Sequence, residues 1–200
     1  MTDFQREYDQ KLNIKTSDIQ MGIHRSYTYH RYEPTPYEAL DCLFKKYEVE
    51  SGDHVVDFGC GKGRLNFYLA HRFGASVTGI EMNETFYGEC LSNLEGYSGK
   101  NKQKIEFGQS LAEKYDIPST ANRFYFFNPF TIEIFRTVVN NILLSVEQTY
   151  RSVEIILYYP APDYVFYLEN HSLSNLKLEV QLDGYEKNAN ERFLVYEFAY

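Results

Sequence analysis

No run in this sequence is both apolar and long enough to span a bilayer, and the N-terminus, MTDFQREYDQ, is charged from its start with no apolar segment of a secretory signal. These absences argue against a membrane partner and predict a soluble, cytoplasmic protein. Cysteine is scarce. Cys42, Cys60 and Cys90 are odd in number and far apart, with no C-x-x-C, which speaks against a disulfide framework or a zinc site and favours a reducing compartment. Positive charge is also short: 20 Lys and Arg stand against 28 Asp and Glu, a net charge of -8. That balance disfavours a free-standing nucleic-acid module, although it leaves room for a local basic patch. The five histidines, His24, His30, His54, His71 and His171, include no pair at metal-ligand spacing, so no metal site is expected. Tryptophan, internal repeats and low-complexity tracts are absent too.

What is present fits one globular domain. Hydrophobic residues make up 44% and charged residues 24% of the 200, enough to bury a core. Aromatic rings are abundant, 19 Tyr and 15 Phe. Such an excess suits a cleft for a flat or amphipathic ligand, and equally suits half-buried strand positions. From residue 54 onward, short apolar strands alternate with helical patterns, as in an α/β sheet of crossover units. The strands are HVVDF, ASVTGIE, KIEFGQS, RFYFF and SVEIILYY. Between them, helical spacing appears over Leu65–Phe73, over Phe86–Leu94 and, most strongly, over Ile132–Val146. Leu176, Leu178, Val180 and Leu182 then alternate, and ERFLVYEFA follows with no room for a crossover helix, so these last two strands pair antiparallel. Upstream, a helix is expected from Thr35 or Pro36 to about Tyr47, with Pro36 in its first turn.

The chemistry is concentrated in VVDFGCGKGR, residues 55–64, where a strand runs through an acid into three closely spaced glycines and a helix. Glycines there allow a tight turn and let a ligand lie against the main chain. A P-loop fails because Gly63 follows Lys62, and a dinucleotide fingerprint fails because Arg64 stands where the third glycine belongs. The arrangement of Asp57, Gly59, Cys60, Gly61 and Gly63 instead resembles motif I of the class I S-adenosylmethionine-dependent methyltransferases. That resemblance implies S-adenosylmethionine as cofactor, with the loop around its methionine half and Asp57 ordering the amino group. A carboxylate is physically apt beside a sulfonium and an ammonium. Glu81, at the end of the second strand, would bind the ribose hydroxyls, Met82 would lie beside the adenine, and Gln109 and Ser110 would stand where the family reads the adenine amino group. The family's fold is a Rossmann-like, seven-stranded, mostly parallel sheet with the last strand antiparallel and helices on both faces. The count from HVVDF to ERFLVYEFA also gives seven. By this resemblance residues 35–200 form the methyltransferase domain, and residues 1–34 an N-terminal arm or lid.

At the tip of the fourth strand, Asn128, Pro129 and Phe130 read FFNPF, similar to the [DNS]-P-P-[YFW] motif of amino-directed N-methyltransferases but one proline short. The resemblance implies that Asn128, Pro129 and Phe130 position the acceptor, with Asn128 orienting a target NH for in-line attack. Plain strand punctuation by Asn and Pro is the competing reading. A second stretch, RYEPTPYEALDCLF, resembles the segment preceding the glycine loop in a branch of protein-lysine methyltransferases, and implies that Tyr32 and Thr35 cover the cofactor and shape the acceptor channel. Together these readings predict N-methylation of a protein or small-molecule amine by a monomer or weak homo-oligomer. A nucleobase N-methyltransferase and a catalytically degenerate methyltransferase-fold binding protein are the alternatives.

Overall fold

The computed structural model describes residues 3–17 and 33–199. Seven strands, β1 (His54–Phe58), β2 (Ser76–Glu81), β3 (Ile105–Gln109), β4 (Arg123–Phe126), β5 (Glu154–Tyr158), β6 (Ser174–Gln181) and β7 (Arg192–Phe198), form one sheet in the order β3-β2-β1-β4-β5-β7-β6. The first five are parallel. β7 runs antiparallel to both neighbours, inserted between β5 and β6, because the link from Gln181 to Arg192 is too short for a crossover. This is the Rossmann-like arrangement that the family resemblance implied, and its strand number agrees with the count from the sequence.

Among the described residues the α-helices are α1 (Asp3–Leu12), α2 (Tyr37–Leu43), α3 (Arg64–Phe73), α4 (Glu84–Gly96), α5 (Ile132–Gln148) and α6 (Pro162–Glu169). Strands buried on both sides create two cores. Val55, Val77, Tyr125 and Ile156 meet α2 and α3 on one face, while Val56, Phe58, Phe126 and Leu157 meet α5 and α6 on the other. α5 buries Phe135, Val138, Val139, Ile142 and Val146 along one stripe, which is why its helical spacing stands out in the sequence. α6 has no counterpart in the sequence pattern, since only Tyr164 and Leu168 of it are buried. Tyr164 stacks on Phe135, with ring centroids 3.8 Å apart, and fixes the helix there.

Two expectations shift. The helix expected to reach Tyr47 ends at Leu43, with Pro36 at its N-cap, and the following turn still buries Tyr47 and Val49. The arm expected over residues 1–34 is, over 3–17, built into the core: Leu12 and Ile14 belong to the same cluster as Val55 and Leu65. Asn13, at φ 53°, ends α1 and turns the chain back onto the domain. Among the described residues, no helix is long and apolar enough to cross a membrane.

Candidate active site

The carboxyl ends of β1, β2 and β4 converge on the glycine loop. Gly59, Gly61 and Gly63 have φ of 76°, 57° and 83°, a region that side-chain-bearing residues rarely adopt. A Cβ on Gly59 would lie 2.5 Å from Cβ of Pro129, and one on Gly63 would lie 2.6 Å from the Phe107 ring. The loop is pinned to β2 because the Ile80 carbonyl accepts the amides of Gly59 and Cys60, at 2.9 and 3.2 Å.

Two buried acids frame this cradle. Asp57 is 4% exposed, and burial, with the Glu81 charge added, pushes its carboxyl up to about 8. With its amide oriented to satisfy both neighbours, Asn66 donates to Oδ2 of Asp57 (3.0 Å) and accepts from the Gly79 amide (2.9 Å). Glu81 accepts the Gly61 amide at Oε2 (3.0 Å) and the Asn83 amide at Oε1 (2.8 Å). Burial raises the Glu81 carboxyl, and backbone donors from Asn83, Gly61 and Met82 pull the other way. Two buried acids beside a glycine-rich loop suit a ligand that brings positive charge, and in their ionised form would repel phosphate. S-adenosylmethionine, with its sulfonium and ammonium, fits that demand.

The remaining expected cofactor residues gather on the same rim. Met82 is 37% exposed directly after Glu81. Gln109 pairs in register with Glu81 and is exposed, and the Ser110 amide donates to the Glu81 carbonyl at 3.2 Å. Cys60 is buried, with its Sγ 4.0 Å from that of Cys90, whose thiol donates to the Gly61 carbonyl at 3.0 Å. Burial pushes the Cys60 thiol well up.

Asn128 lies at the tip of β4 with φ 42°, half-buried, and Pro129 leans over Gly59. Phe130 turns away: it is fully buried, edge-on to Phe126, and its carbonyl accepts the Tyr164 hydroxyl. Its ring therefore serves the core beneath the tip. Thr35 is buried, its hydroxyl 2.7 Å from that of Tyr125 and its carbonyl bonded to Arg64. Tyr32, His24 and His30 lie outside the described residues.

Several site residues had no role from sequence. Asn66 carried a signal as a polar residue on the apolar stripe of Leu65 and Leu69, as did Arg64, a cation in the first turn of a helix. Tyr159, at the tip of β5, carried none. Its φ of 48° is unusual for a bulky residue, and with Phe127 and Tyr158 it forms an aromatic wall, the Phe127 centroid lying 4.5 Å from Tyr158 and 6.5 Å from Tyr159.

A family model for mycolic acid cyclopropane synthetase matches residues 30–144, more than half of the chain. The chain belongs to this family. Its members are S-adenosylmethionine-dependent methyltransferases, in keeping with the glycine cradle and its two acids. A sphingolipid C9-methyltransferase of Candida albicans is 30% identical over 110 residues, covering 55% of this chain and 17% of that protein. A protein-lysine N-methyltransferase of Saccharolobus islandicus is 34% identical over 72 residues, 34% of this chain and 45% of that one. The chain thus matches less than half the length of either relative. In fold, it resembles an RNA methyltransferase of Salinibacter ruber solved with S-adenosylhomocysteine, at TM-score 0.56 and 20% identity over 83% of this chain and 92% of that one.

Proposed function

We propose that this family member transfers the methyl group of S-adenosylmethionine to a nitrogen of a protein or small-molecule amine, at the tips of β4 and β5. The observation that carries this reading is the contact between the two machineries: Pro129 sits where a side chain on Gly59 would stand, so the Asn128 turn borders the cofactor loop directly. When bound, S-adenosylmethionine supplies an electrophilic methyl group. Asp57 and Glu81 balance its positive charge, and the glycine loop admits its backbone-like half at close range. The Asn128 side chain would accept an N–H of the acceptor and aim the nitrogen lone pair, an effect of orientation rather than covalent catalysis. As the new C–N bond forms, the S–C bond breaks, and the acceptor proton departs to water. Thr35 and Tyr32 would border the acceptor channel on the N-terminal side.

The half-buried rings of Phe127 and Tyr159, backed by the buried Tyr158, would suit an alkylammonium group, which is drawn to aromatic faces. After burial, the nearby Glu191 and Glu33 carboxylates push the Tyr158 phenol further above its ordinary value, so negative charge borders this wall. All three cysteines are free thiols, in line with a cytoplasmic protein, and we read it as a monomer or weak homo-oligomer.

A second reading, methylation of a lipid carbon, is favoured by the family match and by the sphingolipid-modifying relative. Labelled methyl transfer into a lysate divided into protein, small-amine, RNA and lipid fractions tests both. Label on nitrogen in protein or small amines is expected. Label confined to lipid carbon overturns the first reading in favour of the second, and label lost only on RNase treatment overturns both.

A further inference from the structure

Arg64 is the first residue of α3, directly after Gly63, and is 5% exposed. A cation at a helix N-terminus opposes the helix dipole, and a buried charge loses its hydration, so neither position favours arginine for stability alone. Every polar contact of its guanidinium goes to the N-terminal part of the chain. Nη1 donates to Oε1 of Gln5 (2.6 Å) and to the Thr35 carbonyl (3.3 Å), Nε to Oγ1 of Thr16 (2.8 Å), and Nη2 to Oγ of Ser17 (2.7 Å). Oδ2 of Asp9 lies 4.0 Å from Nη2, and the Tyr37 ring centroid lies 4.5 Å from the guanidinium carbon. Asp9 is itself engaged by the Thr16 amide (2.8 Å), the Ser17 hydroxyl (2.8 Å) and the Tyr37 hydroxyl (2.7 Å).

This places Ser17 and Thr35, far apart in sequence, on one planar cation fixed to the end of the glycine loop. Thr35 extends the connection to β4, since its hydroxyl meets that of Tyr125, three residues before Asn128. Both halves of the site therefore share a link through Arg64. Only a forked donor can hold these partners at once; a lysine ammonium is a point charge without the fork.

We propose that Arg64 is a positioning residue for methyl transfer: it ties the cofactor loop to the chain at Ser17 and Thr35, so that cofactor binding and docking of residues 3–17 reinforce one another. The inference rests on cofactor binding alone and holds for any acceptor. If binding tightens the loop, it tightens the docked segment, and by linkage the docked segment raises cofactor affinity by the same factor.

The test is amide hydrogen exchange at Thr16, whose N–H is held by Asp9, with and without saturating S-adenosylhomocysteine, alongside calorimetry. In the wild-type protein the ligand is expected to slow exchange about tenfold, a coupling of ordinary size. Arg64→Lys should bind the ligand about tenfold more weakly and lose most of that slowing. A purely structural role predicts faster exchange in Arg64→Lys with the ligand-induced factor unchanged, and that result overturns the proposal, as does wild-type exchange that the ligand does not move. Ser17→Ala, which removes one hydroxyl, provides the same comparison should Arg64→Lys fail to fold: a reduced factor supports the coupling and an unchanged one refutes it. Binding heat without any exchange effect defeats the coupling alone, whereas absence of binding heat in the wild type defeats the cofactor assignment with it.

Discussion

Glu81 and Gly61 are joined across the mouth of the site by a 3.0 Å hydrogen bond from the glycine amide to Oε2, so the acid that closes β2 also sets the shape of the glycine loop. A carboxylate has acceptor capacity beyond the Gly61 and Asn83 amides it holds, which leaves room for ribose hydroxyls. Glu81→Ala strands both amides. Hydrogen bonds to charged groups contribute about 1.5–3 kcal/mol, so S-adenosylhomocysteine affinity should fall by at least about tenfold, with Glu81→Gln intermediate. Isothermal calorimetry of the three proteins checks the order; equal affinities would remove Glu81 from the site.

With Asp57 at the proposed cofactor site, cofactor binding is expected to depend on pH. With its carboxyl near 8 in the free protein, the group is largely protonated at neutral pH, and a cationic ligand must displace that proton. Affinity for S-adenosylmethionine should therefore rise with pH up to about 8 and then level off, with proton release visible in buffers of different ionisation enthalpy. Asp57→Asn should flatten the profile and bind weakly across it.

The same group shapes stability with the opposite sign. Its pKa is raised on folding, so its contribution is fully present below the unfolded value of 3.8 and is lost as pH rises toward about 8. Ligand-free Asp57→Asn should consequently melt higher than wild type at pH 8, with the difference shrinking toward pH 4. Thermal melts at the two pH values decide this, and a variant that melts lower at pH 8 contradicts it.

Gly59→Ala strikes both halves of the site. Its φ of 76° strains any side chain, and the new methyl would meet Pro129 at 2.5 Å, so the Asn128 turn must move. Cofactor affinity and methyl-transfer rate should both drop about tenfold or more, since small misplacements of reacting groups are costly. An unchanged rate at saturating cofactor would separate Pro129 from the chemistry.

Asn128→Ala tests the acceptor side by itself. Methyl transfer at saturating cofactor should slow by about two orders of magnitude, as for loss of one orienting polar group, while S-adenosylhomocysteine binding stays within about twofold of wild type. A matching loss of cofactor affinity would reassign Asn128 to the cofactor pocket.

The central strands β1, β4 and β5 were legible in the sequence because they are buried on both faces and read as apolar runs, β6 was legible from its alternation, and the short 182–191 link leaves only antiparallel pairing for β7. The glycine loop was legible because positive φ angles demand glycine itself. Asn66 and Tyr125 were not, because their value lies in partners far along the chain: Asn66 bonds Asp57 and Gly79, and Tyr125 meets Thr35. Phe130 looked like an acceptor contact in FFNPF, yet spacing along a strand tip does not reveal which face a ring takes. Residues 3–17 looked like a peripheral arm because α1 is mostly polar; Leu12 and Ile14, which anchor it, are too few to make a stripe.

The insertion of β7 between β5 and β6 also governs when the molecule can be finished during vectorial synthesis. The edge of β5 away from β4 has no proper neighbour until residues 192–198 have left the ribosome, so the half-made sheet carries an open, apolar margin for as long as the chain between β5 and β7 is being made. Closure of the sheet thus waits for β7, and the nascent polypeptide in that interval is the form most in need of chaperone shelter.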